Sequence, residues 1–196
     1  MKLVAVSQRV DNFSERNEMR DALDQRLIKW VTGCGLLPVP VPNALGGSIC
    51  DWLMTFEPAA VVLSGGNDIG QHPERDNTEL ALLSYARELT LPVLGICRGM
   101  QMMAHWAGAT LHITTGHVNS RHQLKGEISA EVNSYHNYSL SNCPTDFEVI
   151  ARSNDNEIEA IRHLYLPWEG WMWHPEREKE FTSGDISRLR ALLEKV

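Results

Sequence analysis

The sequence predicts an α/β fold: a single-domain, three-layer sandwich over residues 1–196, with a mostly parallel central sheet, helices on both faces and a small antiparallel extension. Three observations predict it. Short apolar runs, "LVAV" at 3–6, "AVVL" at 60–63 and "PVLGI" at 92–96, alternate with segments of helical spacing, the pattern of parallel strands covered on both faces. The length of 196 residues suits one hydrophobic core. From about Ala109 to Trp173 the alternation gives way to short strand candidates joined by polar turns.

Taken in order, "KLVAVS" reads as a buried strand. After a turn at Asp11-Asn12, the segment from Ser14 to Val31 places Met19, Leu23, Leu27 and Trp30 at helical spacing before Gly33, which predicts a helix. "LLPVPV" is a second, extended strand whose prolines put it at an edge or in a loop. "SICDWLMTF" is a short helix, and "AAVVLSGG" a third strand ending in glycines. Asn77 to Thr90 is an amphipathic helix, "PVLGIC" a fourth strand and "RGMQMMAHWAG" the helix after it. "ATLHI", "ISAEVN", "FEVIARS", "EAIRHLYL" and "GWMW" supply the antiparallel extension. A last helix runs from Ser183 to Lys195, with Thr182 or Ser183 as N-cap.

Composition excludes several classes. A formal charge of -7 argues against nucleic acid, whose non-specific affinity comes from neutralised phosphates. No stretch approaches the roughly 20 apolar residues of a membrane span, and the N-terminal apolar run is too short for a signal peptide, so the expected location is cytoplasmic. Cys34, Cys50, Cys97 and Cys143 are scattered without a CxxC pair, which excludes a disulfide framework in a reducing compartment.

Cys97 stands apart because of its neighbours. Gly95 and Gly99 flank it in the pattern G-x-nucleophile-x-G, the strand-to-helix elbow that exposes a nucleophile at a helix N-terminus, where the partial positive charge favours thiolate. A thiolate attacking a carbonyl needs donors for the developing oxyanion. The glycine pair of "LSGGND" follows a strand directly, so the amides of Gly66 and Arg98 are the candidates for that oxyanion hole. A base and an orienting group are also required. "GWMWHPERE" offers His174 and Glu176 at the end of an apolar strand. Each motif alone also has a structural reading: glycines that permit close packing, an ordinary turn, a core histidine.

Together the motifs carry a family resemblance. "GICRGMQ" with downstream "WHPE" and upstream "LSGGNDI" resembles the class I glutamine amidotransferase-like superfamily, and "RDNTE", "VNSYHNY" and "IEAIRH" are similar to its stand-alone gamma-glutamyl hydrolases. The resemblance implies that Cys97 attacks a glutamyl side-chain amide, that His174 is base and then acid, and that Glu176 orients it, through a glutamyl thioester hydrolysed to glutamate. It further implies that Gln101, Ser134, Tyr135 and His136 hold the glutamyl group, with Asn67 and Arg98 as pocket members. The structural alternatives for Gln101 and His136 stay open.

The implied partner is a small-molecule gamma-glutamyl substrate, with no obligate protein partner. The chain's compactness, and the absence of the usual aromatic after the "GGNDI" turn, resemble bacterial hydrolases acting on the gamma-glutamyl amidate of cytidine diphosphate. That implies a nucleotide-linked leaving group, for which His117, Arg121, His122 and Lys125, with Arg75 and Arg177, are candidate phosphate ligands. Gamma-glutamyl amines such as gamma-glutamyl-aminobutyrate, a glutaminase subunit feeding ammonia to a synthase, and a catalytically silent module are the competing readings. No metal is expected, since His112, His117 and His122 match no zinc spacing, and no phosphate-loop or dinucleotide motif calls for a cofactor.

Overall fold

The computed structural model describes residues 1–193. The chain opens with β1 (Leu3–Ser7), buried except at its first residue. The helix predicted from Ser14 does not follow. Instead β2 (Arg9–Phe13) and β3 (Glu18–Ala22) form an antiparallel hairpin, with Arg9 opposite Ala22 and Phe13 opposite Glu18, and α1 (Gln25–Gly33) begins only at Gln25. Leu27 and Trp30 are buried in α1, whereas Met19 lies 57% exposed on the hairpin, so its place in the helical pattern is coincidental. The start is set locally: the Asp24 carboxylate accepts the Arg26 N–H at 2.9 Å, an N-cap.

Next come β4 (Leu37–Val41), α2 (Ile49–Phe56), β5 (Ala60–Leu63), α3 (Pro73–Glu88), β6 (Val93–Ile96) and α4 (Arg98–Trp106). The helix predicted from Asn77 starts at Pro73 instead, because proline is preorganised for the first helical position. The remainder holds β7 (Leu111–Ile113), β8 (Val118–Gln123), β9 (Lys125–Gly126), β10 (Glu131–Tyr135), β11 (Tyr138–Leu140), β12 (Phe147–Arg152), β13 (Ile158–His163), β14 (Trp168–Trp171) and α5 (Ser183–Leu193). The Thr182 hydroxyl caps α5 by accepting the Asp185 N–H at 3.1 Å; the predicted continuation to Lys195 lies outside the described residues.

The main sheet has eight strands in the order β4-β1-β5-β6-β14-β13-β12-β9. The first five are parallel and the last three antiparallel. Pro38 and Pro40 sit on the edge strand β4, where a missing N–H costs no ladder bond to a second neighbour. "GWMW" is therefore not only part of the antiparallel extension: β14 pairs in parallel with β6, Trp171 beside Ile96, and antiparallel with β13. The short pairs β8/β10 and β7/β11 stand off the main sheet.

Alternating strand residues feed two cores. Val4, Val6, Val62, Leu94 and Ile96 pack towards α1 and α5, while Ala5, Val61, Leu63 and Val93 pack towards α2, α3 and α4. This is the three-layer arrangement the sequence predicts. On the α1 face Trp171 stacks on Trp173, with planes 3° apart and centroids at 5.3 Å, and meets Trp30 edge-on. Such pairs add roughly 0.5 to 1.5 kcal/mol beyond area burial and hold the strand that leads into His174. Among the described residues no helix is long and apolar enough to cross a membrane.

Candidate active site

The C-terminal ends of β5, β6 and β14 lie side by side, the edge of a parallel sheet where ligands bind in α/β folds. Cys97 follows β6 and adopts φ 52°, ψ −108°, a conformation that costs a non-glycine residue roughly 1 to 3 kcal/mol and marks the sharp elbow. Its N–H donates to Trp171 O at 2.7 Å, which ties the elbow to the neighbouring strand. Gly99 makes the turn feasible: a Cβ there would stand 2.2 Å from Leu63 O, so no side chain fits between α4 and β5. Cys97 is 6% exposed and heads α4, where the Arg98 N–H has no intrahelical acceptor.

His174 arrives from β14. Asn133 grips its backbone twice, accepting the His174 N–H at 3.0 Å and donating to His174 O at 2.8 Å. Nδ1 of the ring lies 2.6 Å from Glu176 Oε1, so Nδ1 carries the proton and Nε2 is left for the sulfur. Burial pushes the ring's pKa down, but the charge of Cys97 and hydrogen bonds to Cys97 and Glu176 outweigh it, and His174 is raised to about 9. The geometry therefore favours an imidazolium beside the thiolate, the pairing that activates a sulfur nucleophile.

The turn after β5 is held from below by Arg75, which is fully buried. Its guanidinium donates to Ser64 O at 2.7 Å, Gly65 O at 3.1 Å, Gly66 O and Asn67 Oδ1 at 3.1 Å. Glu79, also fully buried, accepts Arg75 Nε at 3.1 Å and the Ser7 hydroxyl at 2.7 Å, and pairs with Arg98. Ser7 Oγ in turn accepts the Ser64 N–H at 2.9 Å. One buried network thus orients the Gly65-Gly66 backbone and the first residue of α4 together. Its residues come from β1, α3 and α4, and only the "RDNTE" motif hinted at it.

The expected pocket residues divide. Gly66, Asn67, Cys97, Arg98, Gln101 and Tyr135 border one cavity of about 140 Å³. Within it, Asn67 spends its amide on Val10, accepting from its N–H at 2.8 Å and donating to its carbonyl at 3.0 Å, and the Arg98 side chain turns to Asp76 and Glu79. Gln101 donates to Tyr138 O at 2.9 Å, bracing the cavity wall. Tyr135 stands edge-on to His174 at 5.8 Å between ring centroids. Ser134 is fully buried, its hydroxyl donating to His117 O at 2.7 Å. His136 borders the cavity but is 3% exposed, with Nδ1 on Tyr138 O at 3.0 Å.

The basic loop does not assemble as a phosphate site. Arg121 is matched by Glu131 and Glu178, His117 and His122 face Glu159, and Arg75 lies under the turn. A second cavity of about 220 Å³ opens on the other side of the His174 ring, bordered by Arg9, Gly65, Gly66, His174 and Arg177. Arg177 also lies over the Tyr135 ring at 4.7 Å, and Arg9 pairs with Asp11 at 2.7 Å.

Comparisons with known proteins agree with this geometry. The family model described as glutamine amidotransferase class-I matches residues 21–190. A gamma-glutamyl-CDP-amidate hydrolase of Campylobacter jejuni is 34% identical over 133 residues, 65% of this chain and 66% of that protein. The glutamine-hydrolysing subunit of the GMP synthase of Methanosarcina barkeri is 34% identical over 136 residues, 63% of this chain and 67% of that one. In each case the match spans about two thirds of the relative's length. A solved structure from Thermoplasma acidophilum, provisionally assigned to the same GMP synthase component, superposes with a TM-score of 0.75 at 21% identity, covering 99% of this chain and 93% of its own, a likeness of fold.

Proposed function

Since this chain belongs to the glutamine amidotransferase class-I family, we propose that it is a cysteine hydrolase of gamma-glutamyl amides. The observation that carries the reading is the convergence of Cys97 on its strained elbow with His174, whose other nitrogen is held by Glu176 at 2.6 Å.

In this reading the Cys97 thiolate adds to the gamma-carbonyl carbon, and the amides of Gly66 and Arg98 receive the oxyanion. Collapse of the tetrahedral intermediate breaks the C–N bond, and the imidazolium of His174 gives its Nε2 proton to the leaving nitrogen. Water then attacks the thioester, His174 takes its proton, and glutamate departs as the thiolate is restored. Glu176 holds the imidazole in one tautomer and stabilises its charged form throughout. Arg75 and Glu79 keep the Gly66 amide aimed at the oxyanion without touching substrate.

The two cavities suit the two halves of such a substrate. The smaller one, beside Cys97, takes the glutamyl group against Tyr135 and the loop braced by Gln101. The larger one lies on the side of His174 from which the leaving group takes its proton, and Arg9 and Arg177 border it. That pair supports a phosphorylated leaving group, with the gamma-glutamyl amidate of cytidine diphosphate as leading substrate, the compound in the name of the Campylobacter relative.

A panel of glutamine, gamma-glutamyl-aminobutyrate, gamma-glutamyl peptides and the cytidine diphosphate amidate, read as glutamate released, tests this. A strong preference for the nucleotide amidate is expected, with Cys97→Ala as the blank. Release from none of the four overturns the proposal. The similarity to the glutamine-hydrolysing component of GMP synthase favours a second reading, a glutaminase whose ammonia passes to a synthase partner. Turnover of glutamine alone, rising only when such a partner is added, selects that one.

A further inference from the structure

A second cluster of titratable side chains lies behind the glutamyl cavity. His117 precedes β8, His122 lies on β8, His136 follows β10 and Glu159 lies on β13, and the proposed catalytic steps use none of their side-chain atoms. His117, His136 and Glu159 are buried to within 3% of full, and His122 keeps 13% of its side chain exposed.

The tautomers of two rings can be read from their outer partners. His136 Nδ1 faces the carbonyl of Tyr138 at 3.0 Å, which only accepts, so Nδ1 bears the hydrogen. His117 Nε2 faces Asp155 Oδ2 at 2.8 Å, so there Nε2 bears it. In the neutral rings the inner nitrogens are then bare, and they face each other at 3.2 Å. Both also face Glu159 Oε1, at 3.3 Å from His117 Nδ1 and 3.5 Å from His136 Nε2. Neither oxygen of this buried carboxylate meets a donor in hydrogen-bonding geometry.

Three lone-pair atoms and a negative charge pointed at one another need a positive occupant. The spacing identifies one. A tetrahedral zinc site with bonds of about 2.0 to 2.1 Å has ligand-to-ligand edges of about 3.3 Å, and the observed triangle has edges of 3.2, 3.3 and 3.5 Å. His122 Nε2 stands 3.2 Å from the same Glu159 oxygen and is buried without a hydrogen-bond partner. The outer hydrogen bonds to Asp155 and Tyr138 O are those that orient metal-bound imidazoles. Asp155 is 57% exposed, so the cluster is approachable from solvent.

We propose that His117, His136 and Glu159, with His122 as fourth ligand, form a zinc-binding site behind the glutamyl cavity. The residues are the N3O set that suits zinc among the common divalent ions. Of the three histidines whose spacing matches no zinc pattern, His112 stays outside the cluster and pairs with Glu157 at 3.1 Å. Zinc here would be structural. Ser134 and the His136 N–H both bond to His117 O, and His136 holds Tyr138 O, so the ion would stiffen the loop that carries Tyr135 and meets Gln101.

The competing occupant is a proton on His117, which hydrogen bonding to Glu159 raises to about 9, against burial and with help from Asp155. Metal analysis of the purified full chain separates the two. About one equivalent of zinc per chain should survive gel filtration, chelation should lower the melting temperature, and cobalt added to the stripped protein should give the visible bands of a tetrahedral nitrogen-oxygen site. His122→Asn should weaken zinc binding at least about 10-fold, and Glu159→Gln should abolish it. Should Glu159→Gln fail to fold, the cobalt titration of the unaltered chain still decides. Less than about a tenth of an equivalent bound, with no visible band on adding cobalt, would establish the proton as occupant and overturn the site.

Discussion

Replacing Gly65 by alanine should separate turnover from folding. An alanine Cβ at this position would lie 2.5 Å from His174 Cε1 and 3.3 Å from Nε2, against an ordinary contact of 3.4 Å or more, so the ring must retreat by about 1 Å. Gly65 has no left-handed φ, and the substitution is free of backbone strain there. The ring cannot retreat freely: Asn133 pins its backbone from both sides, and Nδ1 is already 2.6 Å from Glu176. A displacement of about 1 Å at a reacting group costs roughly 10²-fold in rate, equivalent to about 2.7 kcal/mol of activation energy. Overpacking of this kind costs about 1 to 3 kcal/mol in stability, which a folded domain of this size survives. The assay is kcat on the best substrate of the panel, alongside the melting temperature and the rate of Cys97 alkylation by iodoacetamide. A fall of about 100-fold in kcat with slower alkylation is expected. A folded variant whose kcat stays within about threefold of the parent would refute the placement of His174 as proton donor and acceptor.

Cys97→Ala should abolish glutamate release while leaving substrate binding by calorimetry largely intact; comparable turnover would sink its role as nucleophile. Glu79→Gln strips the charge from a fully buried partner of Arg75 and Arg98 and should destabilise the fold by about 3 to 5 kcal/mol in urea unfolding; a loss below about 1 kcal/mol would mean that the pair is not coupled as the geometry implies. His174 has its pKa raised from 6.5 to about 9 in the folded chain, so its contribution to stability is complete below pH 6.5 and fades as pH rises through 9. The unaltered chain's stability advantage over His174→Asn should therefore shrink between pH 6 and 9.5, roughly spanning that window; an advantage that grows over the range contradicts the ion pair.

What the sequence disclosed was local. Apolar runs marked β1, β5 and β6, because a strand buried on both faces is apolar at every position. The elbow was legible because Gly95 and Gly99 stand within two residues of Cys97. The hairpin of β2 and β3 was not legible, since both strands lie on the surface, carry little periodic hydrophobicity and share residues with a false helical pattern. The supports of the site were hidden for another reason. Ser7 and Glu79 are 72 positions apart, Asn133 and His174 are 41, and His117 and Asp155 are 38, so each pair exists only after the sheet has formed. Ser134 and His136 were named for the right loop, yet their side chains face its interior.

The parallel pairing of β6 with β14 has a consequence for how this chain can change. Seventy-seven positions separate Cys97 from His174 along the chain, yet in space they are neighbours because Trp171 lies beside Ile96 and accepts the Cys97 N–H. The ladder behaves as a ruler with divisions of about 3.3 Å along the strand, and the intervening chain is slack that the ruler ignores. Additions or deletions between β11 and β12 can lengthen or shorten the excursion without moving the sulfur relative to the imidazole. A one-step slip of β14 against β6 would carry the histidine a full division along the edge and invert which side chains face each core. Variation in length is thus cheap in the excursion and forbidden at the ladder.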